Sequence, residues 1–589
     1  MSETVNSVFE ETVKKYPDYI AYSFKQNGEW VSRTWREYWG EVQAVAASLI
    51  EHGLEPSDAT TILSLNRPEW VIADLASIMA GGVPAGIYPT SSASQCEYIL
   101  NHCKAKFIFL EDKTQLDKIL SIKELLTELK GIVLFEGSSD DPMVHTWNDF
   151  LEKGRGLDKT KLEERIKNQK AEDLATLVYT SGTTANPKAV MLSHTNLCWT
   201  AANVIKNHLK LSSEDVFISY LPLSHIAEQM VTIHGPLVVA CQVSFAESID
   251  KLPDNLREVR PTVFLGVPRV WEKIQAKMVE KGAEASPLKK KIAKWAKAVG
   301  LEQAKKSQFR QVPGLQYKIA KKIVYKKVRE ALGLDRCRFQ ITAAAPISED
   351  TLNFFFSLDI PIYEIYGMSE CSGPATISLP DGQFRIGKAG LPIKDTEVKI
   401  ADDKEVMIKG KNVFMGYLHN PEATQETLDG EGWLHSGDLG SIDHEGFLTI
   451  NGRKKNLIIT AGGENISTEM IESRFVSIPV VEHAVVIGDR KKYLSMLVTL
   501  DQATASSFSK EIGSEAKDPS QIAKCPIFNE YLRKEVDRIN QGVARVQTVK
   551  QFKILDTNFS EASGELTPTM KVKRNVVLKK YENVIAELY

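Results

Sequence analysis

A chain of 589 residues exceeds what one hydrophobic core supports, so it must divide into several domains or subdomains. Its composition, 43% hydrophobic and 25% charged, excludes a small disulfide scaffold and a disordered, collagenous or wholly coiled-coil chain. With 73 Lys plus Arg against 76 Asp plus Glu the formal charge is −3, so any nucleic-acid or membrane partner must use a local patch.

The N-terminal stretch MSETVNSVFEETVKKYP has no apolar core of the kind a secretory signal needs and carries acids, so a cytoplasmic protein is expected. Windows 70–89 and 230–246 are the most apolar, but Asp74 and Pro84 interrupt one and His234, Pro236 and Gln242 the other; neither reads as a membrane span. The C-terminal Ala-Glu-Leu-Tyr is neither a peroxisomal nor an ER-retention address. Seven scattered cysteines, at 96, 103, 198, 241, 337, 371 and 525, lack any CxxC or zinc-type spacing and are read as reduced and structural.

Short apolar runs ending in Gly, Ser or Pro recur between helix-period segments: TILSLN at 61–66, TLVYTSG at 176–182, TVFLGVP at 262–268 and IYEIYG at 362–367. This rhythm predicts an α/β fold with buried strands, whose following loops are the places where ligands bind. From about 380 to 454, Gly, Asp and short alternating strands predict a β-rich subdomain closing a large N-terminal domain, 1–454. Residues 455–589 read as a separate α+β domain: a helix with Ser467 at its N-cap, the strands VVEHAVVIG and LSMLVTL, and a later charged helix. Residues 288–329 carry fourteen Lys or Arg and only Glu302 in opposition, with Leu288, Ile292, Trp295 and Val299, then Leu315, Ile319, Ile323 and Val328, at helical spacing. Such a basic amphipathic segment either packs one face on its own domain or lies on an anionic bilayer.

The strongest chemical signal is Tyr179-Thr-Ser-Gly-Thr-Thr-Ala-Asn-Pro-Lys188, a hydroxyl-rich loop leaving a strand and ending in a lysine. It offers backbone N–H groups, hydroxyls and a cation to a polyphosphate, although it is not a Walker A sequence. The loop resembles the phosphate-binding signature of the acyl-adenylate-forming enzymes, the superfamily of acyl-CoA synthetases, luciferases and peptide-synthetase adenylation domains. Further signatures follow in register: Leu221-Pro-Leu-Ser-His225, Tyr366-Gly-Met-Ser-Glu370, Gly432-Trp-Leu-His-Ser-Gly-Asp438, Gly452-Arg-Lys-Lys455, Ala461-Gly-Gly-Glu-Asn465 and Leu566-Thr-Pro-Thr-Met-Lys571-Val-Lys-Arg574. Gly266-Val-Pro-Arg-Val-Trp-Glu-Lys273 and SYLPLSHIAEQ resemble the long-chain fatty acyl-CoA synthetases, especially the bubblegum-type branch.

The resemblance implies an AMP-forming ligase that joins a long-chain fatty acid to CoA through an acyl-adenylate, using ATP and Mg²⁺. Loading of a carrier protein, or use of an aryl acid, is the alternative. It assigns ATP and AMP to Thr180, Ser181, Gly182, Thr183, Thr184, Lys188, Tyr366, Gly367, Ser369, Asp438 and Arg453. Glu370 is the expected Mg²⁺ ligand and Lys571 the cation of the adenylation step, with His225 beside the reacting carboxylate. Lys455 matches the family's pivot, and Gly462 and Gly463 the edge along which pantetheine passes after the C-terminal domain rotates. An anion attacking a polyanion needs such positive charge and a metal. The chain departs from the family at Ala185, Ala189 and Met570, where relatives usually carry glycine; a positive φ at such a site would cost a non-glycine residue about 1 kcal/mol or more.

Overall fold

The structure is a computed structural model and describes residues 3–589 apart from 181–185, 462–463, 515, 517 and 568–569; the side chains at 465, 503, 507, 510 and 519 also lie outside the description. An eight-stranded sheet runs in the order Gly416–Tyr417, Lys188–Ser193, Leu174–Thr180, Val83–Ile87, Ala59–Leu63, Phe107–Leu110, Gly131–Leu134, Val144–Thr146. From Leu174–Thr180 to Val144–Thr146 the pairings are parallel, whereas Lys188–Ser193 runs antiparallel to both of its neighbours. Every residue of Ala59–Leu63 and Val83–Ile87 is buried, as expected of parallel strands covered on both faces.

A second sheet, ordered Val263–Leu265, Phe339–Thr342, Ile362–Met368, Gly373–Ile377, Leu391–Pro392, sends the carboxyl end of Ile362–Met368 into the loop bearing Glu370. A four-stranded antiparallel sheet, Glu397–Ile400, Glu405–Lys409, Leu434–Ile442 and Leu448–Arg453, forms the β-rich portion. Beyond it, Val481–Ile487, Leu494–Leu500 and Val549–Ile554 make a smaller sheet covered by helices Thr468–Val476 and Pro526–Asn540, with its own apolar core around Phe475, Phe528 and Leu532. The architecture is therefore mixed α/β, a large N-terminal part followed by a smaller α+β part.

Ser467 does occupy the N-cap of Thr468–Val476, but its side chain makes no capping hydrogen bond. Its hydroxyl lies instead against Gly452, where a β-carbon would come within 2.0 Å of the Ser467 oxygen. The basic stretch folds as a helical hairpin: Pro287–Ser307, a connecting loop, then Leu315–Ala320 continuing through a π-turn into Lys326–Leu332. One face of that stretch packs on its own domain in part. Ala296, Val299, Gly300 and Ala304 pack inward, whereas Leu288, Leu315, Ile319 and Ile323 stay exposed.

Candidate active site

Two strand ends and Lys571 of the C-terminal part meet at one cleft. Asp438, on Leu434–Ile442, is 5% exposed, and its carboxylate is held from both sides. Tyr366 Oη donates to Oδ2 across 2.8 Å and Arg453 Nε to Oδ1 across 2.8 Å. Cross-strand pairing of Asp438 with Arg453 sets this contact. Burial raises the Tyr366 phenol well above its ordinary value, with the Asp438 charge adding to the effect, so the hydroxyl remains a donor. Gly367 is required by packing, because a β-carbon there would lie 1.7 Å from the carbonyl oxygen of Gly373.

Glu370 and Ser369 sit on the short 3₁₀ turn Ser369–Cys371 that follows the strand. Tyr417 Oη donates 2.7 Å to Glu370 Oε1, and the Tyr417 ring lies under Lys188 Nζ at 4.6 Å from its centroid. Thr180 ends the strand that Lys188 pairs with, and its hydroxyl reaches the Lys188 carbonyl at 3.5 Å. Ser181, Gly182, Thr183, Thr184 and Ala185 lie outside the described residues, as do Gly462 and Gly463. Ala189 is buried in the strand Lys188–Ser193 and its φ is not positive, so alanine fits there without backbone strain.

Lys571 belongs to the C-terminal part yet faces the same cleft. Desolvation lowers its ammonium pKa below the ordinary lysine value, and Arg453 lowers it further, against the opposing charges of Asp438 and Glu469. The residue nevertheless remains exposed to solvent. Lys571 is held in a tight turn by bonds between its backbone and Thr567. Met570, immediately before it, has φ +60°. The strain that the family avoids with glycine thus falls at Met570, at a cost of about 1–2 kcal/mol.

His225 opens the helical turn Ile226–Gln229, and its Nδ1 accepts the backbone N–H of Ala227 at 3.1 Å. That bond leaves the ring proton on Nε2. Burial, aided by the charge of Lys571, lowers its pKa to about 4, so the imidazole is neutral. His225 and Gly367 both line an apolar cavity of about 100 Å³, walled by Val204, Leu209, Phe217, Met230, Leu265 and Ile341. Two of its walls come from π-helical turns, Asn203–Leu209 and Met230–His234, a local geometry frequent at functional sites.

Lys455 lies exposed in the 3₁₀ turn Lys454–Asn456. Its neighbour Lys454 is anchored on the β-rich sheet by Asp403 at 2.5 Å and Glu405 at 2.9 Å. Past the turn, Glu469 accepts the Arg453 backbone N–H at 2.9 Å. Arg269 approaches Glu482 at 3.8 Å and Asp501 at 3.9 Å, joining helix Pro268–Ala283 to the C-terminal part.

Sequence reasoning did not single out Tyr417 or Glu228. Glu228 stood inside the quoted SYLPLSHIAEQ stretch, where its charge in an apolar motif was an available signal. It is 1% exposed, accepts from Tyr220 N at 3.1 Å and Thr232 Oγ1 at 2.8 Å, and is pushed up to about 7 by burial. Asn66 braces the same loop, donating to Ser219 Oγ at 2.8 Å and to the Leu221 carbonyl at 2.6 Å. Tyr417 carried no local signal: its position depends on a two-residue strand pairing with residues more than two hundred positions earlier.

The chain resembles known proteins over nearly its whole length. Residues 9–418 match the AMP-binding enzyme family and residues 455–589 the AMP-binding enzyme C-terminal domain. A Xenopus laevis protein named long-chain-fatty-acid–CoA ligase ACSBG2 is 44% identical, covering all of this chain and 84% of the relative. The Homo sapiens protein of that name is 38% identical over all of this chain and 92% of its own length. Among solved structures, the anthranilate CoA ligase AuaEII in complex with anthranoyl-AMP shares the fold with a TM-score of 0.76 at 18% identity, covering 100% of this chain and 98% of that one.

Proposed function

The chain belongs to the AMP-binding enzyme family, and on that footing we propose that it is an AMP-forming long-chain fatty acid–CoA ligase. The observation that carries this reading is the junction of two environments. A cleft of fixed charges, Lys571, Arg453, Asp438 and Glu370, adjoins His225 and Gly367 at an apolar cavity of the kind that takes small ligands. Its aliphatic walls suit an alkyl chain better than a polar aryl acid.

In the first half-reaction a carboxylate oxygen bonds to the α-phosphorus of ATP as the bond to pyrophosphate breaks. Lys571 faces the developing charge, and neutral His225 donates its Nε2 proton in a hydrogen bond to the carboxylate. Asp438, held by Tyr366 and Arg453, presents acceptor oxygens to ribose hydroxyls; Tyr366 gives adenine an aromatic face. Thr180, Lys188 and Ser369 bound the phosphate side. In the second step the CoA thiol, losing its proton, attacks the acyl carbonyl and AMP leaves. No cysteine of the chain is required.

Glu370 fits a Mg²⁺ site, since it presents a hard carboxylate oxygen beside the phosphate strand and its Oε1 is already oriented by Tyr417. When bound with the nucleotide, the ion would neutralise phosphate charge.

We take residues 1–454 as the adenylating domain and 455–589 as a mobile lid pivoting at Lys455. Anchoring of Lys454 to Asp403 and Glu405, and the separate apolar core that starts at Ile458, support a pivot there. Gly462 and Gly463 are assigned to the pantetheine passage on the family resemblance. We place the enzyme in the cytoplasm, a reading supported by its seven free cysteines. Among the described residues no helix is long and apolar enough to cross a membrane; the exposed basic segment 288–329 supports a peripheral association.

The test is fatty-acid-dependent exchange of labelled pyrophosphate into ATP, followed by acyl-CoA formation from palmitate. Both should vanish from the first step in Lys571→Ala. Transfer to acyl carrier protein in preference to CoA would overturn the reading.

A further inference from the structure

The tip of the hairpin 287–332 presents apolar side chains largely to solvent. Phe309 is 60% exposed, Val312 83% and Leu315 74%, with Ile319 following one turn later at 46%. Four large apolar residues within eleven positions, each more than two-fifths exposed, cluster in a way that scattered single exposures on a surface do not.

The tip is also rigidly mounted. Arg385 stacks on the Phe309 ring at 4.7 Å and donates to the Gln308 carbonyl at 2.7 Å. Arg310 donates to the Asp381 carbonyl at 2.7 Å, and Gln308 accepts the Ile386 backbone N–H at 3.0 Å. At the far end of the hairpin stem Tyr325 Oη donates to the Ala296 carbonyl at 2.6 Å. The base of the loop is therefore fixed while Val312, Pro313 and Leu315 project.

Charge surrounds this apolar tip. Lys305 and Lys318 flank it on the two helices, with Lys322 and Lys327 further along; all four are exposed, and among the described residues none has a carboxylate within ion-pairing distance. Helix-borne lysines around an apolar projection are complementary to a layer of anionic headgroups over hydrocarbon. An acidic protein or a nucleic acid would satisfy the lysines and leave Val312 and Leu315 in water.

We propose that this hairpin tip is a preformed wedge that inserts into an anionic phospholipid bilayer, with Phe309, Val312 and Leu315 entering the acyl region and Lys305, Lys318 and Lys322 pairing with lipid phosphates. The proposal rests on the peripheral-association reading of 288–329 and names its partner and depth. It places the enzyme where a fatty acid partitions, and does not depend on the ligase chemistry.

The experiment uses the full chain and vesicles of phosphatidylcholine with or without phosphatidylserine. Wild type should co-sediment with the anionic vesicles, weakening as salt rises. The triple variants F309S/V312S/L315S and K305E/K318E/K322E should each bind at least tenfold more weakly, and Val312→Trp should show a blue-shifted emission quenched by brominated acyl chains. Retained binding in both triple variants overturns the proposal. So does loss in the lysine variant alone while the Val312→Trp emission stays unquenched, which describes a headgroup contact without insertion, or competition by RNA without any vesicle binding. Acyl-CoA formation from detergent-dispersed palmitate should be unchanged in both triple variants. If wild type makes no acyl-CoA but still binds vesicles, the ligase reading fails and the wedge stands.

Discussion

The phenol of Tyr417 joins two groups that the chain places far apart: it donates 2.7 Å to Glu370 Oε1 while its ring faces the Lys188 ammonium at 4.6 Å. Burial and the nearby Glu370 charge raise its pKa, so it stays protonated and keeps donating. Tyr417→Phe keeps the ring and removes a hydrogen bond to a charged group worth about 1.5–3 kcal/mol. The expected outcome is a roughly tenfold or greater fall in kcat for pyrophosphate exchange, with the fatty-acid KM unchanged. Tyr417→Leu should fall further through loss of the cation–π contact. A titration in MgATP checks this; equal rates for wild type and Tyr417→Phe would show the contact to be idle.

On the role proposed for Lys571, its depressed pKa should set the alkaline limb of adenylation. Because the charged form is lost as pH rises through a lowered pKa, exchange activity should decline below the ordinary lysine value of 10.5. Lys571→Arg stays charged throughout, so its residual activity should lack that limb. His225, at about 4, should contribute no limb near 6.5. A pH–rate profile of the exchange reaction that showed the same alkaline limb in both proteins would assign it elsewhere.

Glu228 is raised from 4.5 to about 7 in the folded state, so folding favours its neutral form. Its contribution is fully present below pH 4.5 and is lost as pH rises through 7. Relative to Glu228→Gln, wild type should therefore lose stability across that window, by about 3 kcal/mol in total. Denaturant unfolding of both proteins at about pH 4.5 and about pH 8, either side of that window, reads the difference. A constant gap would mean that the carboxyl is ionised at no cost in the fold.

Met570 occupies the left-handed region one residue before Lys571. Met570→Gly relieves about 1–2 kcal/mol of strain but adds unfolded-state entropy of about 0.5–1 kcal/mol, so stability should rise by no more than about 1.5 kcal/mol. Met570→Val, β-branched at positive φ, should lower pyrophosphate-exchange kcat severalfold while leaving acyl-CoA formation from supplied acyl-AMP intact. Equal effects on both half-reactions would point to global destabilisation.

The chain itself determined the α/β class, the strands at 174–180 and 362–368, and the order of charged motifs, because hydrophobic period and local turn chemistry are written in neighbouring residues. Asp438, Arg453 and Lys571 are named by the resemblance of their short motifs to those of the acyl-adenylate-forming enzymes; by residue type alone Lys571 reads as a solvated surface lysine. Tertiary structure alone decided which of them touch. Asp438 meets Tyr366 and Arg453 through strand register, and Tyr417 meets Glu370 through a two-residue strand added at a sheet edge. It also decided that the glycine-like backbone falls at Met570 and not at Ala189, and that half of an amphipathic stripe is packed while its tip stays bare. These outcomes depend on contacts between residues tens to hundreds of positions apart, and no local pattern of side chains encodes a distance across a fold.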